Sequence, residues 1–542
     1  MSGVGIECGR DAHAPIGGTL TLMNLRMWTY DIAREQCPTH EYLHKLCKMT
    51  VESGYNAIGL YLEHRFAYPS APWVAGKDAL TPDIIVSLQE EFPTLQIIPF
   101  INLLGHFEGF IYADQGARFA KDQFKGMQAD PAHPEFQELC RKLIDDTVAI
   151  FKSDLIHIGG DETQQLGKTD EERSKVYGEH FGPLAQYVVD KGRTPGVWGD
   201  MYFEHPEAMD TMPKETIIFD WQYFKSPEYT SRLFRDKGFR TVFCPTIFTY
   251  NSIWCHLPQS ELNVKEHAEA AERLQVEGVC VTTWECGLFG NYNTIIPCLE
   301  ASGKILVEAE AGKDQGFPLE NGTRDEDIAI YKQAAEAPLF LKAYLKHGET
   351  DEEWARLLGC ELPKLGGDWG FSGIRSGIKC RMFLYSNPFL FWMRNGKSVL
   401  LDTVGATALA ERALAFANDS DQRGICQLVT KSVEFLFNIQ SASLAYSESK
   451  PGETIAFLSP CRQIFEEMER IATANFINSC GSLADAHRCR IAKKYVEEVI
   501  VRVKQYGNGS LGYLPSFETL CHPKFVPHDQ ANWWLINSWA NE

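Results

Sequence analysis

Several features are scarce in this chain. Its 542 residues hold no Lys/Arg-rich run, and 72 acidic side chains outweigh 52 basic ones, for a net charge of −20. Phosphate backbones and anionic membrane surfaces repel such a protein, so no nucleic acid and no membrane is expected as a partner. No apolar run reaches the ~18 residues of a membrane span. The start, "MSGVGIECGRDAHAPIGG", has no basic stretch leading into an apolar block. No signal peptide is therefore visible, and the expected location is cytoplasmic. There are 16 cysteines but no C-x-x-C pair. That argues against a zinc ribbon or redox dithiol and leaves reduced, mostly buried thiols.

What is present is alternation. Eight short β-rich runs begin with "GTLTLMNL" (18–25), "NAIGLYL" (56–62), "LQIIPFINLL" (95–104) and "DLIHIG" (154–159). They continue with "RTPGVW" (193–198), "TIIFDW" (216–221), "RTVFCPT" (240–246) and "GVCVTTW" (278–284). Most are apolar on both faces, as strands covered on each side must be. Amphipathic segments at 38–53, 134–151 and 261–276 separate them, the first opening on a proline suited to a first helical turn. Eight strands with intervening helices fit an α/β fold, a (β/α)8 TIM barrel, whose usual size is about 250 residues. A doubly wound open sheet is the alternative, but no glycine-rich phosphate loop follows the first strand.

Beyond Leu306 strand-like runs nearly vanish, and helical periodicity dominates in "DEDIAIYKQAAEAPLFLKAYL", "TALAERALAFA", "ICQLVTKSVEFLFNIQSASLAY" and "AHRCRIAKKYVEEVIVRVKQY". The expected organisation is an N-terminal extension (1–17), a catalytic barrel (18–310) and an α-helical C-terminal domain (311–542). Wide apolar helix faces leave room for a homodimer contact. The Trp-rich tail "HDQANWWLINSWANE" is expected to pack against something.

In such a barrel the chemistry sits at the C-terminal strand ends. Reading those ends gives Arg26, Glu63, His106 in "GHFEGF", the adjacent acids Asp161 and Glu162, Trp198 with Asp200, Trp221, Tyr250, and Trp284 with Glu285. Aromatic walls beside acids suit a sugar, whose apolar faces stack on indoles while carboxylates and Arg take its hydroxyls. Taken singly each residue has a plainer reading. A strand-end Trp is ordinarily core, His106 and His157 read as structural histidines, and Arg26 as an ion-pair partner. Asp161 and Glu162 read as helix-capping acids. Their joint occurrence at five or more strand ends favours a site.

With these residues in view, the chain resembles glycoside hydrolase family 20, the β-N-acetylhexosaminidases. The hallmark H-x-G-G-D-E stands as His157-Ile158-Gly159-Gly160-Asp161-Glu162. A first-strand pattern of Arg, Asp and Arg stands as Arg26, Asp31 and Arg34, with Pro38 continuing it. "YLEHRFAYP" and "LLGHFEGF" are similar to the hexosaminidase D-like branch. The chain departs from the family pattern in three ways. Only about 17 residues precede the first expected strand, so the usual small domain there is not expected. Glu285 directly follows Trp284, and Tyr250-Asn251-Ser252 lacks the usual Asp.

The resemblance implies an exo-acting retaining β-N-acetylhexosaminidase working on a terminal β-linked N-acetylhexosamine glycan, with no cofactor and no metal. The substrate's own 2-acetamido oxygen would be the nucleophile, as in the substrate-assisted exceptions among glycosidases. Glu162 would be the acid and then the base, and Asp161 would hold the acetamido N–H. Tyr250 would donate to the acetamido oxygen, and Trp198, Trp221 and Trp284 would box the sugar. Arg26 and Glu285 would bind ring hydroxyls. Two alternatives stay open. One is a metal-dependent barrel hydrolase using His106, His157, Asp161 and Glu162 as ligands; the other is a carbohydrate-binding protein without activity.

Overall fold

A computed structural model describes residues 24–33, 37–76, 79–111, 113, 115–121, 128–163, 166–223, 226–247, 257–284, 296–310, 420–476 and 484–511. Strands β1 (Leu25–Asp31), β2 (Ala57–Tyr61), β3 (Gln96–Phe100), β4 (Leu155–His157), β5 (Thr194–Trp198), β6 (Ile217–Trp221) and β7 (Arg240–Cys244) follow one another in space as in sequence. After Pro245 the two-residue β8 (Thr246–Ile247) extends β7, and β9 (Gly278–Thr283) pairs in parallel with both. β9 also pairs in parallel with β1, with Arg26 opposite Val279, so eight staves close into a barrel.

Helices α1 (His40–Glu52), α2 (Pro82–Glu91), α4 (Phe136–Ile150), α5 (Asp170–Asp190), α7 (Glu228–Asp236), α8 (Leu257–Leu274) and α9 (Ile296–Glu310) alternate with the strands, and short helices α3 (Glu108–Ile111) and α6 (Met201–Glu204) follow β3 and β5. This is the (β/α)8 architecture expected from the alternation.

Two boundaries differ from the sequence reading. The first strand is "LRMWTYD", so of the expected run 18–25 only Leu25 joins it, and residues 18–23 lie outside the described ones. The first helix starts at His40, because the Thr39 side chain caps it by accepting from the backbone N–H of Tyr42, which leaves Pro38 ahead of the helix.

Alternation along each strand sorts the core into two. Trp28, Tyr30, Ile58, Leu60 and Ile97 pack outward against helices. Leu25, Met27, Ala57, Tyr61, Ile98, Phe100, Leu155, Trp198, Phe219 and Cys280 pack inside the barrel. Each large ring buried there contributes on the order of 1.5–3 kcal/mol, so the interior is a packed core rather than a channel.

Farther along the chain, α10 (Ser420–Ser447), α11 (Pro451–Phe476) and α12 (Ala484–Gly507) pack against one another in sequence order through Phe435, Phe465 and Val496. The helical C-terminal region is therefore present. Two helical stretches read from sequence, 325–345 and 407–417, lie outside the described residues, as does the Trp-rich tail. Among the described residues no helix is long and apolar enough to cross a membrane. Eight cysteines, Cys37, Cys140 and Cys489 among them, are free and buried, as the scattered spacing leads one to expect.

Candidate active site

The site grows from the end of β4. Gly159 and Gly160 take φ values of 81° and 109°, a region that side chains avoid, and so turn the chain sharply off the strand. The backbone of this turn is pinned on three sides. Trp198 N–H donates to the Gly159 carbonyl at 3.1 Å. The Tyr177 hydroxyl of α5 donates to the Gly160 carbonyl at 2.7 Å. Glu162 N–H donates to Oδ2 of Asp200 at 2.9 Å.

On this fixed turn the two carboxylates meet different surroundings. The Asp161 side chain is 12% exposed, whereas that of Glu162 is 56% exposed. Gly105 admits the next loop against them, since a Cβ there would come within 2.6 Å of the Asp161 carbonyl. The following residue, His106, places Nε2 3.0 Å from Oε2 of Glu162 and 3.6 Å from Oδ2 of Asp161. Its Nδ1 lies 3.5 Å from Oε1 of the buried Glu108. One imidazole therefore sits among three carboxylates, well placed to share a proton with Glu162.

Glu63, His106 and Glu162 are all non-glycine residues in left-handed conformation, at φ 37°, 47° and 46°. Such strain costs of order 1–3 kcal/mol per residue and persists where the surroundings enforce it. Asn102 is one enforcer, donating to the His106 carbonyl at 3.0 Å and to Oε1 of Glu63 at 3.4 Å. Glu63 is 1% exposed, and its Oε2 accepts from Gly109 N–H at 3.3 Å. It braces the His106 loop from behind rather than facing the opening.

An aromatic wall stands on the other side. Half-buried Trp221 lies 5.1 Å from Tyr223 between ring centroids. The Trp284 indole N–H donates to the Tyr223 hydroxyl at 2.6 Å, and its ring meets Tyr61 edge-on at 5.2 Å. The Trp221 indole N–H donates to Oδ1 of Asp200 at 3.2 Å, tying wall to turn.

Three residues expected in the site lie elsewhere. Arg26 is on the outward face near the N-terminal end of β1, where its Nε donates to the Gly54 carbonyl at 2.9 Å. Strand alternation turns it away from the barrel interior, and the end of β1 is Asp31, buried at 0%. His157 is also 0% exposed, with Phe100, Trp198 and Phe219 rings at 4.2, 4.5 and 4.7 Å. Its Nδ1 accepts from Gly159 N–H at 3.2 Å, and burial holds its pKa well below 6.5, so the ring is neutral. Trp198 is 0% exposed and belongs to the same cluster, touching Trp284 edge-on at 5.7 Å. His157 and Trp198 form the floor beneath the site. Tyr250 and Glu285 lie outside the described residues, as does Arg34.

This placement separates His157 from Asp161 and Glu162, so the four ligands of the metal-dependent alternative are not brought together. Among the described residues no group of three or more His, Cys, Asp or Glu side chains is placed to hold a metal ion.

Residues 95–284 match the model for "Glycosyl hydrolase family 20, catalytic domain". From β3 to the end of β9 the barrel thus resembles a family 20 catalytic domain. Comparison with curated proteins gives no match. Among solved structures, the exo β-N-acetylglucosaminidase of Vibrio harveyi is 19% identical with a TM-score of 0.44, over 52% of this chain and 54% of that one. The β-N-acetylhexosaminidase of Bacteroides fragilis NCTC 9343 is 16% identical with a TM-score of 0.46, over 57% and 71%. That of Streptomyces coelicolor A3(2) is 14% identical with a TM-score of 0.42, over 60% and 70%. The chain thus spans about half the length of the Vibrio protein.

The arrangement includes candidate site residues to which strand-end reading gave no role. Glu108 stands two residues after His106 and Tyr223 two after Trp221, while Asp200, read beside Trp198, was given no role. For Tyr223 the period-two spacing of β6, continued past its end, was the available signal.

Proposed function

We propose that this family 20-like barrel is an exo-acting, retaining β-N-acetylhexosaminidase that uses the acetamido group of its substrate as nucleophile. The observation that carries this reading is the pair Asp161 and Glu162, adjacent in sequence, held on one pinned turn, one carboxylate enclosed and the other open. A double displacement by two protein carboxylates needs them about 5–5.5 Å apart across the scissile bond on facing elements. Two neighbours on a single turn suit a different division of labour.

In the first step the acetamido carbonyl oxygen attacks C1 as the C1–O bond to the leaving group breaks, and Glu162 gives its proton to the departing oxygen. Positive charge spreads over the resulting oxazolinium ring. Asp161 accepts the acetamido N–H, aligning the nucleophile and stabilising that charge in a site shielded from water. His106 holds Glu162 and shares its proton. In the second step water attacks C1, returns a proton to Glu162, and the acetamide re-forms, so two inversions give retention. Trp221, Tyr223 and Trp284 offer the aromatic face on which the sugar stacks. Tyr250 remains our candidate donor to the acetamido oxygen, and Glu285 a ligand for ring hydroxyls. The buried free thiols suit a reducing compartment, and we place the protein in the cytoplasm.

The test is Asp161→Asn. It keeps the shape but loses the acceptor charge, so turnover of an aryl β-N-acetylglucosaminide falls on the order of 10²-fold or more. A thiazoline mimic of the bicyclic intermediate inhibits the wild type competitively and binds the variant less tightly. Turnover within a few-fold of wild type would remove Asp161 from this role.

A further inference from the structure

Asp200 joins Glu162, 38 positions before it in the chain, to Trp221, 21 positions after it. Its Oδ2 accepts from the backbone N–H of Glu162 at 2.9 Å, and its Oδ1 accepts from the Trp221 indole at 3.2 Å. We propose that Asp200 is a positioning residue, whose single carboxyl group fixes the acid-bearing turn at Glu162 and the aromatic wall at Trp221 in one relation. Its kinetic consequences rest on the glycosidase reading; its structural consequences do not.

The geometry gives two reasons. Glu162 is held left-handed at φ 46°, and the bond to Asp200 is one of the contacts that keep it there. Released, the turn relaxes, and a displacement of about 1 Å at an acid costs on the order of 10²-fold in rate. The indole bond acts on substrate instead, setting the tilt of the ring on which the sugar rests. A side chain that merely filled space would make neither contact.

The charge state fits this double role. Facing Asp200 are Asp161 and Glu162 on the β4 turn, His106 from the β3 loop touching both, Tyr177 of α5 and Tyr202 of α6. Burial, then the charge of Asp161 and to a lesser degree that of Glu162, push the Asp200 carboxyl up to about 8, against the two N–H bonds that lower it. A carboxyl raised in this way favours its neutral form, which spares the site another negative charge.

The experiment is Asp200→Asn in the full chain. An amide offers one oxygen and one NH2, so one of the two N–H groups meets a donor instead of an acceptor. We expect kcat to fall at least 10-fold on substrates with poor leaving groups. Combined with Trp221→Phe, the loss should be smaller than the product of the separate losses, because both act through one link. Melting temperature against pH gives a readout independent of activity. An acid whose folded pKa is raised loses stability as pH climbs from its unfolded value, about 3.9, towards its folded one, and Asn does not. The variant should therefore gain on the wild type between about pH 5 and pH 8 and level off above.

A kcat within 2-fold, strictly multiplicative kinetic losses, or strictly additive losses of melting temperature in the Asp200→Asn and Trp221→Phe pair would each overturn the proposal. Should the Asn variant not fold, Asp200→Ser permits the same comparison. If the wild type cleaves no hexosaminide, the glycosidase reading fails, while the melting curves still decide the role of Asp200.

Discussion

Nε2 of His106 and Oε2 of Glu162 stand 3.0 Å apart although 56 residues separate them in the chain, and each is reached from a left-handed backbone, at φ 47° and 46°. Two strained residues on neighbouring barrel loops thus converge on one contact. Because Nδ1 of the same ring lies 3.5 Å from Glu108, the imidazole has an acid on each side. Such a ring can fix the Glu162 carboxyl in place and carry part of its proton.

Replacing His106 with Asn keeps a polar group but removes the second nitrogen. kcat/KM on an N-acetylglucosaminide should drop about 10²-fold, and the pH range of activity should narrow as Glu162 loses its partner. Steady-state rates across pH check this. An unchanged profile would detach His106 from the acid.

Glu162→Gln removes the proton donor and keeps the shape. Substrates with poor leaving groups should lose about 10²–10⁴-fold in rate, while activated aryl glycosides lose far less. Comparing nitrophenyl with alkyl or sugar aglycones reads the difference directly. Equal losses across leaving groups would mean that some other residue protonates the glycosidic oxygen.

The barrel was legible because its strands are short, apolar on both faces and separated by helical stretches, and that pattern survives local irregularity. The acid pair was legible for a different reason: two glycines followed by two acids at a strand end leave few structural uses. Arg26 misled because the first strand was taken to end there, whereas it runs on to Asp31, and Arg26, its second residue, stands on the outward face. His157 and Trp198 misled because an inward-pointing strand residue belongs either to the pocket or to the layer beneath it, and sequence does not give depth. Tyr223 lay within reach of the same alternation, had it been followed past the end of β6, and Asp200, named beside Trp198, lacked only a role.

Acid should weaken the fold through its buried histidines. Burial holds His64 well below 6.5, with the Arg65 charge adding to it, and holds His157 well below by itself. It pushes His180 down to about 4 and His267 to about 3, in each case against a backbone carbonyl bond that raises them. The unfolded chain binds these protons below about pH 6.5 and the folded one does not. Stability is therefore lost as pH falls, about 1.4 kcal/mol per unit for each histidine. Asp200 and Asp220, pushed up to about 8 and about 6 mainly by burial, act in the opposite sense, but they are two against four. The melting temperature should fall from pH 6.5 to pH 5, and a flat or rising curve would contradict the neutral burial of these rings.

The central claim is that the substrate supplies the nucleophile. Rates on a matched pair of aryl β-glycosides, identical in leaving group and differing only in the 2-substituent, test it most directly. The account predicts cleavage of the 2-acetamido sugar with retained configuration and no detectable cleavage of the 2-hydroxy sugar. Comparable turnover of the β-glucoside would contradict it, because Asp161 would then have no acetamide to hold and a protein nucleophile would have to be found.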